Sequence, residues 1–128
     1  MTILSGKIED AIDKGLVNQV VIADADGFVL DNGGYVYDPD ELVSVFMATQ
    51  QQMAEGVIRF DFGQVSEFSF RLVGTETTIA CRRVFWPDGG CLVVAVVPSE
   101  ATPNLIIADA IRSYKKYLER HRKALRDA

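Results

Sequence analysis

The chain is short of the residues that most often carry catalysis. It has one histidine, His121, and two cysteines, Cys81 and Cys91, among 128 residues. A lone imidazole and two distant thiols cannot assemble the usual zinc site. No phosphate-binding loop, nucleophile elbow or dinucleotide fingerprint occurs. No apolar run approaches the roughly 18–20 residues that a membrane span needs. The first residues lack the basic-then-apolar order of a secretory signal. These absences set the expectations: no enzyme, no cofactor, no bound metal, no membrane insertion and a cytoplasmic location.

Enough apolar material remains for a real core. Hydrophobic residues make up 48% and charged residues 24% of the chain, close to globular averages. The length fits one domain over 1–128, with a core over about 4–118 and a basic helical extension over about 119–128. The net charge is −5, unevenly spread. From Asn104 onward, Arg112, Lys115, Lys116, Arg120, Arg122, Lys123 and Arg126 outnumber Asp109, Glu119 and Asp127. That end is +4, so the rest of the chain carries −9. An acidic body with a basic helix end can dock on an acidic surface; the plainer reading is a solvated helix whose cations complement its dipole. The overall acidity and the lack of a recognised module argue against nucleic acid as a partner.

Periodicity gives the element order. Leu4, Ile8, Ala11 and Ile12 recur at helical spacing over Ile3–Lys14, with Gly15 as the stop. Asn18–Ala23 is a β-branched run, hence a strand buried on both faces. Asp24-Ala25-Asp26-Gly27 then turns the chain back through Phe28, Val29 and Leu30 to an end at Asn32-Gly33-Gly34. The two aspartates lack the later ligands of a calcium loop. Val65–Val73 alternates, with Phe68, Phe70 and Leu72 on one side and Glu67, Ser69 and Arg71 on the other. Thr77–Trp86 and Cys91–Val97 flank a Pro87-Asp88-Gly89-Gly90 turn. That hairpin sets Cys91 opposite Phe85 or Trp86 and Cys81 near Ala95 or Val96, out of register for a disulfide. The last helix is expected over about Asn104–Arg126, with Leu105, Ala108, Ile111, Tyr114 (or Lys115) and Leu118 buried.

The helix after Asp38 is the most informative segment. Asp38 caps it, Pro39 suits its first turn and Glu41 completes a capping box; Gly56 is expected to stop it near Ala54 or Glu55. From Leu42 to Ala54 it holds no charged residue. One apolar stripe is Leu42, Val45, Phe46, Thr49 and Met53; a second is Val43, Met47, Gln50 and Ala54. Together they span roughly 200° of circumference, against the ~100° that one sheet covers. The first stripe is expected to face its own sheet. The second needs a partner, for which a second copy of the same helix is the simplest.

The order α-β-β-α-β-β-β-α indicates an α+β sandwich with one five-stranded antiparallel sheet between helices. The two long apolar strands belong at its centre and Val65–Val73 at an edge, open to pairing with its own copy.

The opening from Val20 to Leu30, the capped Asp40-Glu41-Leu42 helix, the Leu92–Val97 strand and the Asn104-Leu105 helix start resemble the Roadblock/light-chain-7 domain family over Leu16 to about Leu118. The resemblance implies a roadblock/profilin-like fold. It implies a homodimer built on the long second helix and the third strand, with Val43, Met47, Gln50, Ala54, Val65, Glu67, Ser69 and Arg71 as interface residues. It further implies a non-catalytic regulator or scaffold of a small Ras-like GTPase, as in the MglB-like members, which supply no catalytic arginine. Arg59, Arg71, Arg82 and Arg83 are therefore not assigned as an arginine finger. The alternative is a structural adaptor subunit of a motor or signalling complex without GTPase contact.

Overall fold

A computed structural model describes residues 3–60, 66–87, 89–98 and 103–127. The elements follow the expected order: α1 (Gly6–Asp13), β1 (Gln19–Asp24), β2 (Val29–Gly34), α2 (Pro39–Phe60), β3 (Glu67–Arg71), β4 (Thr77–Trp86), β5 (Gly89–Pro98) and α3 (Asn104–Asp127). The five strands form one sheet in the order β2-β1-β5-β4-β3, and every neighbouring pair is antiparallel. The apolar strands β1 and β5 take the middle, and β3 takes an edge, as their side-chain patterns require.

The sheet separates two cores. On one face α2 packs Leu42, Val43 and Phe46 over Val21, Ala23, Ile79, Cys81, Leu92, Val94 and Val96. On the other face α1 and α3 pack Ile8, Ala11, Ile107, Ala110 and Tyr114 over Val20, Ile22, Ala80, Cys91, Val93, Ala95 and Val97. Alternation along β5 therefore serves both cores, which is why Leu92–Val97 is apolar at every position. Cys81 and Cys91 end on opposite faces, both free and buried.

Polar side chains fix the segments between elements. The Asp24 carboxylate Oδ1 accepts from the Asp26 and Phe28 backbone N–H groups at 2.9 and 3.0 Å, closing the first hairpin. Gly27 there adopts φ +90°, a conformation that residues with a side chain rarely take, and the Met47 side chain packs over it. Asp38 Oδ1 caps α2, accepting from Asp40 and Glu41 N–H at 2.9 and 3.1 Å. Asp31 Oδ2 holds the N-terminal segment by the Ile3 and Leu4 N–H groups at 2.7 and 2.9 Å.

Several boundaries differ from expectation. The residues Ile3 and Leu4 precede α1 instead of opening it. Strand β2 pairs with β1 as far as Gly34, within the expected end, and a register shift between Ile22 and Ala23 leaves Leu30 out of the ladder. Helix α2 runs past Gly56 to Phe60; a glycine ends a helix only where the chain leaves helical φ, and Gly56 is not among the positive-φ glycines. In the second hairpin Trp86 pairs with Gly89, so Cys91 lies opposite Val84 and Cys81 opposite Val94. Leu105 is 75% exposed, and Ile107 and Ala110 take the buried positions on α3 in place of Leu105 and Ala108.

Candidate functional site

The surface around α2 and β3 joins an uncharged helix face to a free sheet edge. Helix α2 lies on its sheet through Leu42, Val43, Phe46, Met47 and Gln50. Phe46 is fully buried and stacks on Phe68 and Phe70 of β3, each at 5.2 Å between ring centroids. Gln50 is buried as well, and its Oε1 accepts from Arg83 Nη1 at 3.2 Å. The assignment of the two α2 stripes is thereby corrected. Val43 and Gln50, expected to face outward, are turned to the chain's own sheet. Val45 and Met53, expected to face the sheet, are 53% and 38% exposed. The uncharged run from Leu42 to Ala54 leaves the solvent side of the helix unmarked, so its phase was ambiguous in the sequence. Met47 and Ala54 are half-buried, and Ala48 and Gln52 stand exposed beside Val45 and Met53.

Strand β3 alternates as expected: Phe68 and Phe70 are half-buried toward α2, while Glu67, Ser69 and Arg71 are exposed on the opposite face. Val65 lies outside the described residues. Glu67 accepts from Arg82 across the strand pair at 3.0 Å. The two edges of the sheet differ. On β2, the Asn32 N–H is bonded to Asp31 Oδ1 and the Gly34 carbonyl to the Asn32 side-chain amide, both at 2.8 Å. Side-chain bonds of this kind occupy backbone groups that an added strand would need. No such bond to the β3 backbone is found among the described residues.

Arg83, not assigned as an arginine finger from the sequence, stands on β4. It braces three elements: Nη1 reaches Gln50 on α2, Nη2 donates to the Ala25 carbonyl in the first hairpin at 2.8 Å, and the guanidinium lies 5.1 Å from the Phe85 ring centroid. The signal available in the sequence was an arginine on the strand face that otherwise carries Ile79 and Cys81.

A recess of about 220 Å³ lies at the hairpin end, lined in part by Asp24, Asp26, Trp86, Tyr114, Leu118 and Arg122. Burial raises the Tyr114 phenol above its ordinary value, with the neighbouring Cys91, Asp24 and Tyr117 adding to the shift and Arg122 opposing it. Trp86, Tyr114, Tyr117 and His121 form a continuous aromatic ladder, with ring centroids 6.1, 6.4 and 6.0 Å apart. Lys115 places its ammonium 5.8 Å from the Trp86 ring centroid. Beyond Leu118, residues Glu119 to Lys123 are exposed. Among the described residues no group of histidine, cysteine and acidic side chains is arranged to hold a metal, and no helix is long and apolar enough to cross a membrane.

This architecture is the roadblock/LC7 fold. The chain superposes on a Roadblock/LC7 domain from Streptomyces avermitilis with a TM-score of 0.67 at 17% identity, over 91% of this chain and 98% of that one. It superposes on MglB of Myxococcus xanthus with a TM-score of 0.64 at 14% identity, over 89% and 96% of the two chains. The gliding protein MglB of Thermus thermophilus gives 0.58 at 14% identity, over 83% and 78%. No family model and no curated protein sequence matches the chain.

Proposed function

We propose that this chain is a non-catalytic homodimeric regulator or scaffold for a small Ras-like GTPase. The observation that carries the reading is the joint surface of α2 and β3: Val45 and Met53 exposed on an uncharged helix face, beside a strand edge whose backbone takes no side-chain bond among the described residues. An apolar face of this kind is normally covered, and a second copy covers face and edge together by an isologous contact. The expected interface residues that keep surface for this are Met47, Ala54, Glu67, Ser69 and Arg71, to which Val45, Ala48 and Met53 are now added. Val65 remains part of the proposal through its place in the sequence next to β3. The fold shared with MglB and the resemblance noted from the sequence favour a GTPase as the further partner.

The test is titration of the purified protein with candidate small GTPases in their GDP-bound and GTP-bound states. Binding that differs between the two states is expected, since a regulator acts through differential affinity. Equal or absent binding across the encoded GTPases would overturn the reading. The adaptor reading keeps one observation in its favour, the exposed basic end of α3. It expects capture of a non-GTPase partner that is lost on charge reversal at Lys116, Arg120 and Lys123.

A further inference from the structure

The recess at the hairpin end belongs to the α1/α3 side of the sheet, opposite α2, because Trp86 and Tyr114 pack on that side. Two walls of unlike chemistry meet in it. The first hairpin brings the carboxylates of Asp24 and Asp26. Asp24 spends Oδ1 on the Asp26 and Phe28 N–H groups. Its Oδ2 and the Asp26 carboxylate take no hydrogen bond or ion pair among the described residues. Strand β4 and helix α3 bring donors instead: the Trp86 indole N–H, the Tyr114 hydroxyl and the Arg122 guanidinium. Neither the Trp86 N–H nor the Tyr114 hydroxyl makes a hydrogen bond among the described residues.

Tyr114 is only 7% exposed, and a tyrosine so buried ordinarily finds a partner for its hydroxyl. Burial raises its phenol above the ordinary value, so at neutral pH the group is an O–H donor. Charge selects the class of ligand. A purely cationic ligand suits the aspartates, but it meets Arg122 and leaves the Trp86 and Tyr114 donors unused. A purely anionic ligand suits the donors but meets two carboxylates. A zwitterion satisfies both walls, each through charge-assisted hydrogen bonds. Leu118 and the rings of Trp86 and Tyr114, tilted 36° with centroids 6.1 Å apart, offer apolar surface for a side chain. The volume of about 220 Å³ lies below the roughly 300–1,000 Å³ of drug-sized pockets, which suits a single amino acid better than a nucleotide or a peptide.

We infer that this recess binds a free α-amino acid with an apolar side chain, its ammonium held by Asp24 and Asp26 and its carboxylate by Trp86, Tyr114 and Arg122. The site is separate from the α2 and β3 surface, so it stands whether or not the chain pairs with a second copy or meets a GTPase. A bound amino acid links the first hairpin to α3, the two elements between which the recess lies.

Trp86 is the chain's one tryptophan, so its fluorescence reports the recess directly. The test is titration of the purified protein with L-leucine, L-methionine and L-phenylalanine, followed by Trp86 emission and by calorimetry. At least one of the three is expected to change the emission saturably, with the same dissociation constant by both measurements. The tightest ligand is then compared with its two half-charged counterparts, for phenylalanine phenethylamine and hydrocinnamate. Each lacks one charged group and is expected to bind roughly ten- to a hundredfold more weakly. Asp26→Asn and Tyr114→Phe are expected to weaken binding in the same range with the circular dichroism unchanged. Asp26 is exposed and makes no side-chain bond, and Tyr114→Phe keeps the ring, so neither change threatens the fold. Asp24 is left intact because it closes the hairpin. No response to any of the three amino acids overturns the proposal. So does a half-charged counterpart that binds as tightly as the whole ligand, or an affinity unchanged in either variant.

Discussion

Arg83 donates to the side chain of Gln50, 33 residues earlier, at 3.2 Å, and in the same stroke ties α2 to the first hairpin through the Ala25 carbonyl. Gln50 is therefore part of the protomer's own frame. A bond from a charged donor to a buried acceptor contributes about 1.5–3 kcal/mol. Arg83→Met is expected to lower the urea unfolding midpoint by a corresponding amount. Arg83→Lys should not restore it, because an ammonium cannot fork between two acceptors as a guanidinium does. An unchanged midpoint in Arg83→Met would remove the brace from the account of α2.

Gln19 is fully buried and uses all of its side chain. Its amide donates to Asn32 Oδ1 and the Tyr37 carbonyl, and its Oε1 accepts from the Val36 and Tyr37 N–H groups, at 2.9 to 3.0 Å. Gln19→Leu leaves backbone groups in the loop before α2 without partners, each costing about 1–3 kcal/mol if it stays buried. A marked drop in melting temperature is expected, with faster amide exchange at Val36 and Tyr37.

Burial pushes the Cys81 thiol up to about 12 and the Cys91 thiol up to about 11, from an ordinary 9.0. Arg83 near Cys81 and Lys115 near Cys91 oppose these shifts in part. The fold thus holds both thiols neutral, while the unfolded chain ionises them above pH 9. The unfolded state then binds fewer protons, so stability falls as pH rises through pH 9 to about 11–12 and is insensitive to these groups below pH 9. The urea midpoint is expected to be flat in this respect at about pH 7–8.5 and to decline above about pH 9. A Cys81→Ala, Cys91→Ala double variant should show a shallower decline. In the native protein at about pH 8, a thiol reagent should label neither cysteine until urea is added.

Gly34 adopts φ +72°, and a Cβ on it would collide with the Asn18 backbone carbonyl. Gly34→Ala is expected to destabilise the protein by about 1–3 kcal/mol, the usual cost of holding a side-chain-bearing residue in a sparsely populated conformation. Gly6→Ala, a position with open space around it, should be neutral or mildly stabilising. Paired thermal melts of the two variants check the contrast.

The sheet was legible because its strands carry unambiguous patterns. Unbroken apolarity from Leu92 to Val97 requires two covered faces, and the alternation around Phe68 and Phe70 requires one. The cap of α2 was equally plain in Asp38, Pro39 and Glu41. What failed was phase. Between Leu42 and Ala54 every residue tolerates burial, so spacing alone could not tell whether Val43 or Val45 met the sheet. Tertiary contacts decided it: the Phe46 ring seats on Phe68 and Phe70, and Gln50 finds Arg83. Leu105 misled for a related reason: the helix turns Ile107 to the sheet, and Leu105, roughly 200° away round the helix, faces outward. The role of Arg83 depends on contacts 33 and 58 residues away, which no local pattern encodes.

The central claim is a dimer covered along the outer face of α2 and the β3 edge. Its most direct test is the solution mass by size-exclusion chromatography with light scattering, for the wild type and for Val45→Glu. Val45 is exposed in the protomer, so a charge there leaves the fold intact by circular dichroism while burying badly in an interface. A wild type at twice the chain mass, and a well-folded Val45→Glu at the mass of one chain, is the expected result. A monomeric wild type, or a dimer that Val45→Glu leaves untouched, would contradict it.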